Sequence, residues 1–193
     1  MQIEATLLGT GTSQGIPVIG CDCPVCISSD EKDKRLRASL LIKVNGQNFV
    51  VDAGPDFRQQ MLREQVSSLR AILITHEHAD HIFGLDDIRS YNWLQKRTMD
   101  IYAEERVQKA LIRIFDYVFS DVFYPGLPKM NLNLINGESF FIDKVKFKGA
   151  EMDNDYQGAG FTLTVEAEAI QATNGAINDQ WGVDPIALGL EVL

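Results

Sequence analysis

All three histidines of the 193-residue chain fall within Thr75-His76-Glu77-His78-Ala79-Asp80-His81. That run follows Arg70-Ala-Ile-Leu-Ile-Thr75, a short apolar, β-branched stretch with the character of a buried strand. The histidines and Asp80 therefore sit just past the C-terminal end of a strand, where open α/β sheets place their chemistry. Imidazole is the commonest metal ligand, and carboxylate is a hard partner for it. His-x-His-x-Asp-His thus reads as a metal site for zinc, manganese or iron. A solvated loop with surface histidines is the bland alternative.

The spacing suggests how such a site works. Two imidazoles separated by one residue, His76 and His78, can point to one side and chelate a single ion. Asp80 and His81, at the turn into a helix, then complete that site or reach a second ion. Two ions about 3.5–4 Å apart share a water, lower its pKa and clamp the attacking and leaving oxygens of a phosphodiester.

Composition fits an ordinary soluble α/β domain. A chain of 193 residues with 45% hydrophobic content can bury one sizeable core, so residues 1–193 are expected to form a single domain. No apolar run approaches the ~18 residues that a membrane span needs. Met1-Gln-Ile-Glu-Ala has neither the basic flank nor the apolar core of a signal peptide. The net charge of −9 disfavours nucleic acid as a partner, because phosphate backbones draw on basic residues. It leaves room for a small phosphorylated substrate held by a metal. All three cysteines lie in Cys21-Asp-Cys23-Pro-Val-Cys26. An odd, tight cluster without a secretory signal points to a reducing compartment, the cytoplasm, and to a metal instead of disulfides.

Strands are expected at 3–8, 39–44, 47–52, 70–74, 100–103, 132–135, 139–142, 145–148, 160–166 and 169–172. Asn45-Gly46 is a hairpin turn signal. Helices are expected after Asp56, whose side chain could cap the first of them, at 85–95 and at 104–119. Hairpins, then strand–helix units, then strands again suggest stacked sheets flanked by helices.

Several further segments narrow the family. Leu8-Gly-Thr-Gly-Thr-Ser-Gln-Gly-Ile-Pro17 precedes the cysteine cluster. Asp52-Ala-Gly54, Pro55-Asp-Phe-Arg-Gln-Gln60 and His81-Ile-Phe-Gly-Leu-Asp-Asp-Ile-Arg89 come after it. With the histidine motif, these resemble the metallo-β-lactamase fold superfamily. Within it the chain is similar to the branch of the phosphoribosyl 1,2-cyclic phosphate phosphodiesterases, over residues 1 to about 130. The resemblance implies an αββα sandwich and hydrolysis of a small cyclic phosphate by a metal-bound hydroxide. It assigns Asp80 and His81 to a second metal and lets Asp80 assist proton transfer. Asp52 becomes an acceptor for a ligand imidazole, fixing its tautomer and orientation; otherwise it only caps the following turn.

Three thiolates at Cys21, Cys23 and Cys26 favour zinc in a structural site. The family places zinc here with a histidine from near the C-terminus. This sequence has no histidine after His81. The fourth ligand could be Asp22, a water or a residue from a partner chain in a homodimer, or the site is weak. Three reduced thiols without metal are the alternative.

After about residue 150 the chain departs further from the pattern. The resemblance calls for a histidine near Asp153, for a bridging aspartate where Asn174 stands, and for a final histidine beyond Leu193. Asp153 and Asn174 are thus candidate replacements, and the C-terminal part of the fold is expected to be shortened or divergent. Asp86 and Asp87 read as acids at a helix N-terminus. The charged run 30–37 reads as a solvated face. The Gly9–Gly15 loop lacks the Lys-Ser/Thr of a P-loop and reads as a tight turn beside the site. These features leave two functions: a metal-dependent phosphodiesterase, or a non-catalytic relative with an incomplete dinuclear site.

Overall fold

The computed structural model describes residues 3–120, 124–136 and 139–148. Among these residues are eight strands: β1 (Ile3–Gly9), β2 (Ser39–Val44), β3 (Gln47–Val51), β4 (Ala71–Leu73), β5 (Met99–Ala103), β6 (Met130–Leu134), β7 (Ser139–Ile142) and β8 (Val145–Lys148). The first six form one sheet in sequence order. β1, β2 and β3 pair antiparallel, and β3 to β6 pair parallel. Asn45 and Gly46 join β2 to β3, both with positive φ, as a two-residue turn matched to strand twist requires.

The alternation of each strand decides which layer its residues enter. Leu41, Val50, Ile72 and Ile101 face the helices, with Phe57, Met61, Ile82, Leu85, Ile88, Tyr91, Val107 and Leu111 in the same buried cluster. The helices are α1 (Phe57–Arg63), α2 (Ala79–Ile82), α3 (Arg89–Gln95), α4 (Glu105–Ile114) and α5 (Asp116–Phe119). On the opposite face Phe49 meets Phe147 edge-on at 5.3 Å, and Tyr102 stacks on Phe140 at 5.6 Å. Those contacts seat the β7–β8 hairpin on the large sheet. Arg70, reaching Asp100 at 2.7 Å and Asp143 at 2.6 Å, ties the turn of that hairpin to β5. The stacked sheets with a helical layer agree with the expected α/β architecture.

Several local expectations give way to tertiary contacts. The 85–95 helix divides into a 3₁₀ turn at Leu85–Ile88 and α3. Leu85 and Ile88 are both fully buried, and a 3₁₀ turn stacks positions i and i+3 on one side. The 104–119 helix breaks at Phe115, whose ring is buried. Asp56 stands at the N-cap of α1 without capping it; its carboxylate instead takes the Arg37 backbone N–H at 2.8 Å and the guanidinium at 3.0 Å. The run 30–37 is accordingly more than a solvated face, since Leu36 and Arg35 also bond to Gly11 and Ile16. The expected strands at 160–166 and 169–172, with Asp153 and Asn174, lie outside the described residues.

Candidate metal centre

Parallel β3 and β4 end side by side, and the site is built on the segments just beyond their C-terminal ends. Asp52 comes directly after β3 with φ of +62°. This left-handed conformation costs a non-glycine residue about 1–3 kcal/mol and persists only where its surroundings enforce it. The enforcing contacts are visible. The Asp52 N–H donates to Leu73 O at 2.9 Å. The buried Ser39 hydroxyl lies 2.8 Å from Asp52 O and 3.1 Å from Val51 O.

So held, the Asp52 carboxylate turns toward the segment after β4. Oδ1 accepts the Thr75 backbone N–H at 2.8 Å, and Oδ2 lies 2.7 Å from Thr75 Oγ1. Oδ2 is also 2.7 Å from His81 Nδ1. His81 is carried by α2, which begins after His78. The backbone fixes that short helix in turn: Ala53 N–H donates to His81 O, and Gly84 N–H donates to Ala53 O, each at 2.8 Å. The approach is close enough that a Cβ on Gly54 would collide with the Asp80 carbonyl. Asp52-Ala-Gly54 is therefore a platform on which Asp80 and His81 rest.

Beside this platform His76 neighbours each of the other two imidazoles. The His76 ring centroid lies 3.9 Å from that of His81 and 4.7 Å from that of His78. Asp80 Oδ2 is 3.2 Å from His81 Nε2. His76 and His81 are partly buried, and His78 is exposed. Burial lowers the His76 pKa below the usual value, and the neighbouring His81 adds to this. Burial works against His81 too, but the Asp52 and Asp80 carboxylates outweigh it and raise its pKa. With Nδ1 of His81 engaged by Asp52, its Nε2 is the nitrogen left to bind an ion. Imidazole and carboxylate donors of this kind suit zinc, manganese or iron.

Sequence reasoning passed over Ser39, Thr75 and Arg106. Arg106, near the start of α4, pairs with Glu77 Oε1, while Glu77 Oε2 is buried without a hydrogen-bond partner among the described residues. Thr75 carried a signal in adjoining His76; Ser39 and Arg106 carried none. Asp86 and Asp87 stand in the first turn of the 3₁₀ helix Leu85–Ile88, as expected of acids at a helix N-terminus; Asp86 also pairs with Arg89 and accepts the Tyr117 hydroxyl at 2.9 Å.

The cysteines form a separate cluster. Their Sγ atoms all lie within 4.8 Å of one another, and Val18 N–H reaches Cys26 Sγ at 3.4 Å. The Cys23 thiol is lowered to about 7, first by a backbone N–H of Cys26 and then by the thiols of Cys21 and Cys26. Such a triad fits a soft ion such as zinc.

The sheet order, the platform and the histidine turn define a metallo-β-lactamase fold. Residues 47–172 match the beta-lactamase superfamily domain, and the chain belongs to that superfamily. It is 48% identical over 131 residues to an octanoyltransferase of Porphyromonas gingivalis, a match spanning 67% of this chain and 26% of that protein. Among solved structures, a diphosphatase from the PhnP family superposes with a TM-score of 0.68 at 38% identity, over 77% of this chain and 56% of the other. Zinc-bound PqqB from Methylobacterium extorquens shares the fold, with a TM-score of 0.61 at 22% identity, over 78% and 56%. The chain thus spans about half the length of these two structures and about a quarter of the octanoyltransferase. Among the described residues, no helix is long and apolar enough to cross a membrane.

Proposed function

We propose that the chain serves in the metal-dependent hydrolysis of a phosphodiester, with a small cyclic phosphate as its substrate class. The observation carrying this reading is the gathering of His76, His78, His81 and Asp80 beside β4, with Asp52 engaged on the far nitrogen of His81. The 38% identity to a protein described as a diphosphatase supports phosphate chemistry. The net charge of −9 favours a small substrate over nucleic acid.

On this reading His76, His78, Asp80 and His81 hold zinc, manganese or iron. A bound ion supplies Lewis acidity, drawing the pKa of water toward neutrality and offsetting phosphate charge. The chain's own contribution is positional. Asp52 keeps His81 in the Nδ1–H tautomer, and the Ala53 and Gly84 amides fix α2. Asp80, next to His81 Nε2, is placed to hold a proton released at the site. Cys21, Cys23 and Cys26 hold a structural zinc in a reducing, cytoplasmic setting.

The test is reconstitution with zinc, manganese or iron, followed by assay on a cyclic phosphodiester and its linear counterpart. Metal-dependent turnover of the cyclic ester, abolished in His76→Ala, is expected. Failure to bind metal at these residues would remove the reading. Metal binding without turnover would favour a second reading, a non-catalytic relative. The observation behind that one is Asn174, which stands where the resemblance calls for a bridging aspartate.

A further inference from the structure

Thr75 Oγ1 lies between two groups of the site, 2.7 Å from Asp52 Oδ2 and 3.0 Å from His76 Nδ1. The hydroxyl owns a single proton, and an ionised carboxylate can only accept. The short contact to Asp52 therefore uses the Thr75 proton. What remains on Oγ1 is acceptor capacity, so the contact with His76 requires the hydrogen to sit on His76 Nδ1. Asp52 Oδ1 meanwhile takes the Thr75 backbone N–H at 2.8 Å, which fixes the residue from its other side.

We infer that Thr75 is a positioning residue which extends the reach of Asp52 to a second imidazole. A single carboxylate, on a backbone that Ser39 holds through the Asp52 carbonyl, sets two tautomers: that of His81 by direct contact, and that of His76 through the Thr75 hydroxyl. Both rings then carry hydrogen on Nδ1, which leaves Nε2 as the nitrogen available to an ion; on His81 that nitrogen faces Asp80 Oδ2 at 3.2 Å. That is the form a metal-binding imidazole needs, with its other nitrogen donating to a fixed acceptor. The side chain must supply a hydroxyl at this place. Valine has nearly the same shape and cannot relay, whereas serine keeps the oxygen.

The tautomer assignment stands independently of the proposed hydrolase role; only the metal readout rests on it. The chain has three histidines, so long-range 1H–15N correlation spectra of the metal-free protein contain three imidazole patterns, with His76→Gln identifying one. Above neutral pH, where imidazole is uncharged, His76 is expected as the Nδ1–H form in wild type and in Thr75→Ser. In Thr75→Val the Nε2–H form should appear, and zinc affinity by chelator competition should fall about 10–100-fold. Thr75→Ser should stay near wild type. A wild-type His76 in the Nε2–H form overturns the inference, and that spectrum needs no variant to fold. An unchanged tautomer and zinc affinity in Thr75→Val overturn it as well. If wild type shows the Nδ1–H tautomer but binds no zinc, the relay stands and the hydrolase reading falls.

Discussion

Asp52 Oδ2 lies 2.7 Å from His81 Nδ1, although 29 residues separate the two along the chain. The contact joins the end of β3 to α2 across the end of β4. It is possible because Asp52 adopts a left-handed backbone, which aims its carboxylate at the histidine turn. The same carboxylate receives two hydrogen bonds from Thr75. Removing its charge should therefore disturb the metal-binding face more than the fold.

Asp52→Asn provides that test. Asparagine tolerates the left-handed region, so the backbone is preserved. The amide offers one acceptor oxygen and puts an NH₂ group where the second oxygen was. The contacts to the Thr75 N–H, the Thr75 hydroxyl and His81 Nδ1 can no longer all be met. Zinc affinity by chelator competition should drop about 10–100-fold, with far-ultraviolet circular dichroism unchanged. Equal affinities in variant and wild type would remove the assigned role of Asp52.

The Arg70 network should make stability depend on pH at the acid end. Arg70 lowers the Asp143 carboxyl to about 2, with Gln47 assisting. Burial raises Asp100, but Arg70 outweighs it and leaves that carboxyl below its ordinary range. A carboxyl whose pKa falls on folding stabilises above its unfolded value, and that stabilisation disappears as pH drops through the folded one. The thermal midpoint of wild type should exceed that of Arg70→Gln near neutral pH. The gap should close between roughly pH 4, the unfolded carboxylate value, and pH 2. A gap of constant size over that window would contradict this account.

The three cysteines should react unequally without zinc and be protected with it. Cys23 is exposed, and its thiol is lowered to about 7, so much of it is thiolate at neutral pH. For Cys26 the Val18 N–H favours the thiolate, yet desolvation and the neighbouring thiols of Cys21 and Cys23 raise its pKa overall. Alkylation mapped by mass spectrometry should label Cys23 first in chelator-treated protein, since the thiolate is the nucleophile. Zinc should suppress all three reactions. Labelling in zinc-replete protein as fast as in the chelated form would rule out a metal on this triad.

Much of the site was legible in the residues because its signals are local. His76, His78, Asp80 and His81 fall within six positions after an apolar run, and a turn past a strand end keeps them together whatever the rest of the chain does. Asn45-Gly46 fixed a hairpin for a similar reason: the preferred backbone angles of two residues match the twist of the strands they join. Asp52 stood out through resemblance alone.

Tertiary structure decided what the polar side chains between those elements do. Asp56 had the position of a helix cap, and Arg37, brought near by folding, drew its carboxylate away. Ser39, at the start of β2, supports the strained Asp52 backbone only because β2 and β3 are neighbours. Thr75 links Asp52 to His76 only because β3 and β4 end side by side. The physical reason is range. Backbone preferences and hydrophobic period act over a few residues and can be read along the chain. A hydrogen bond across some 3 Å of space depends on which distant segment the packed core places alongside, and composition and spacing carry no record of that.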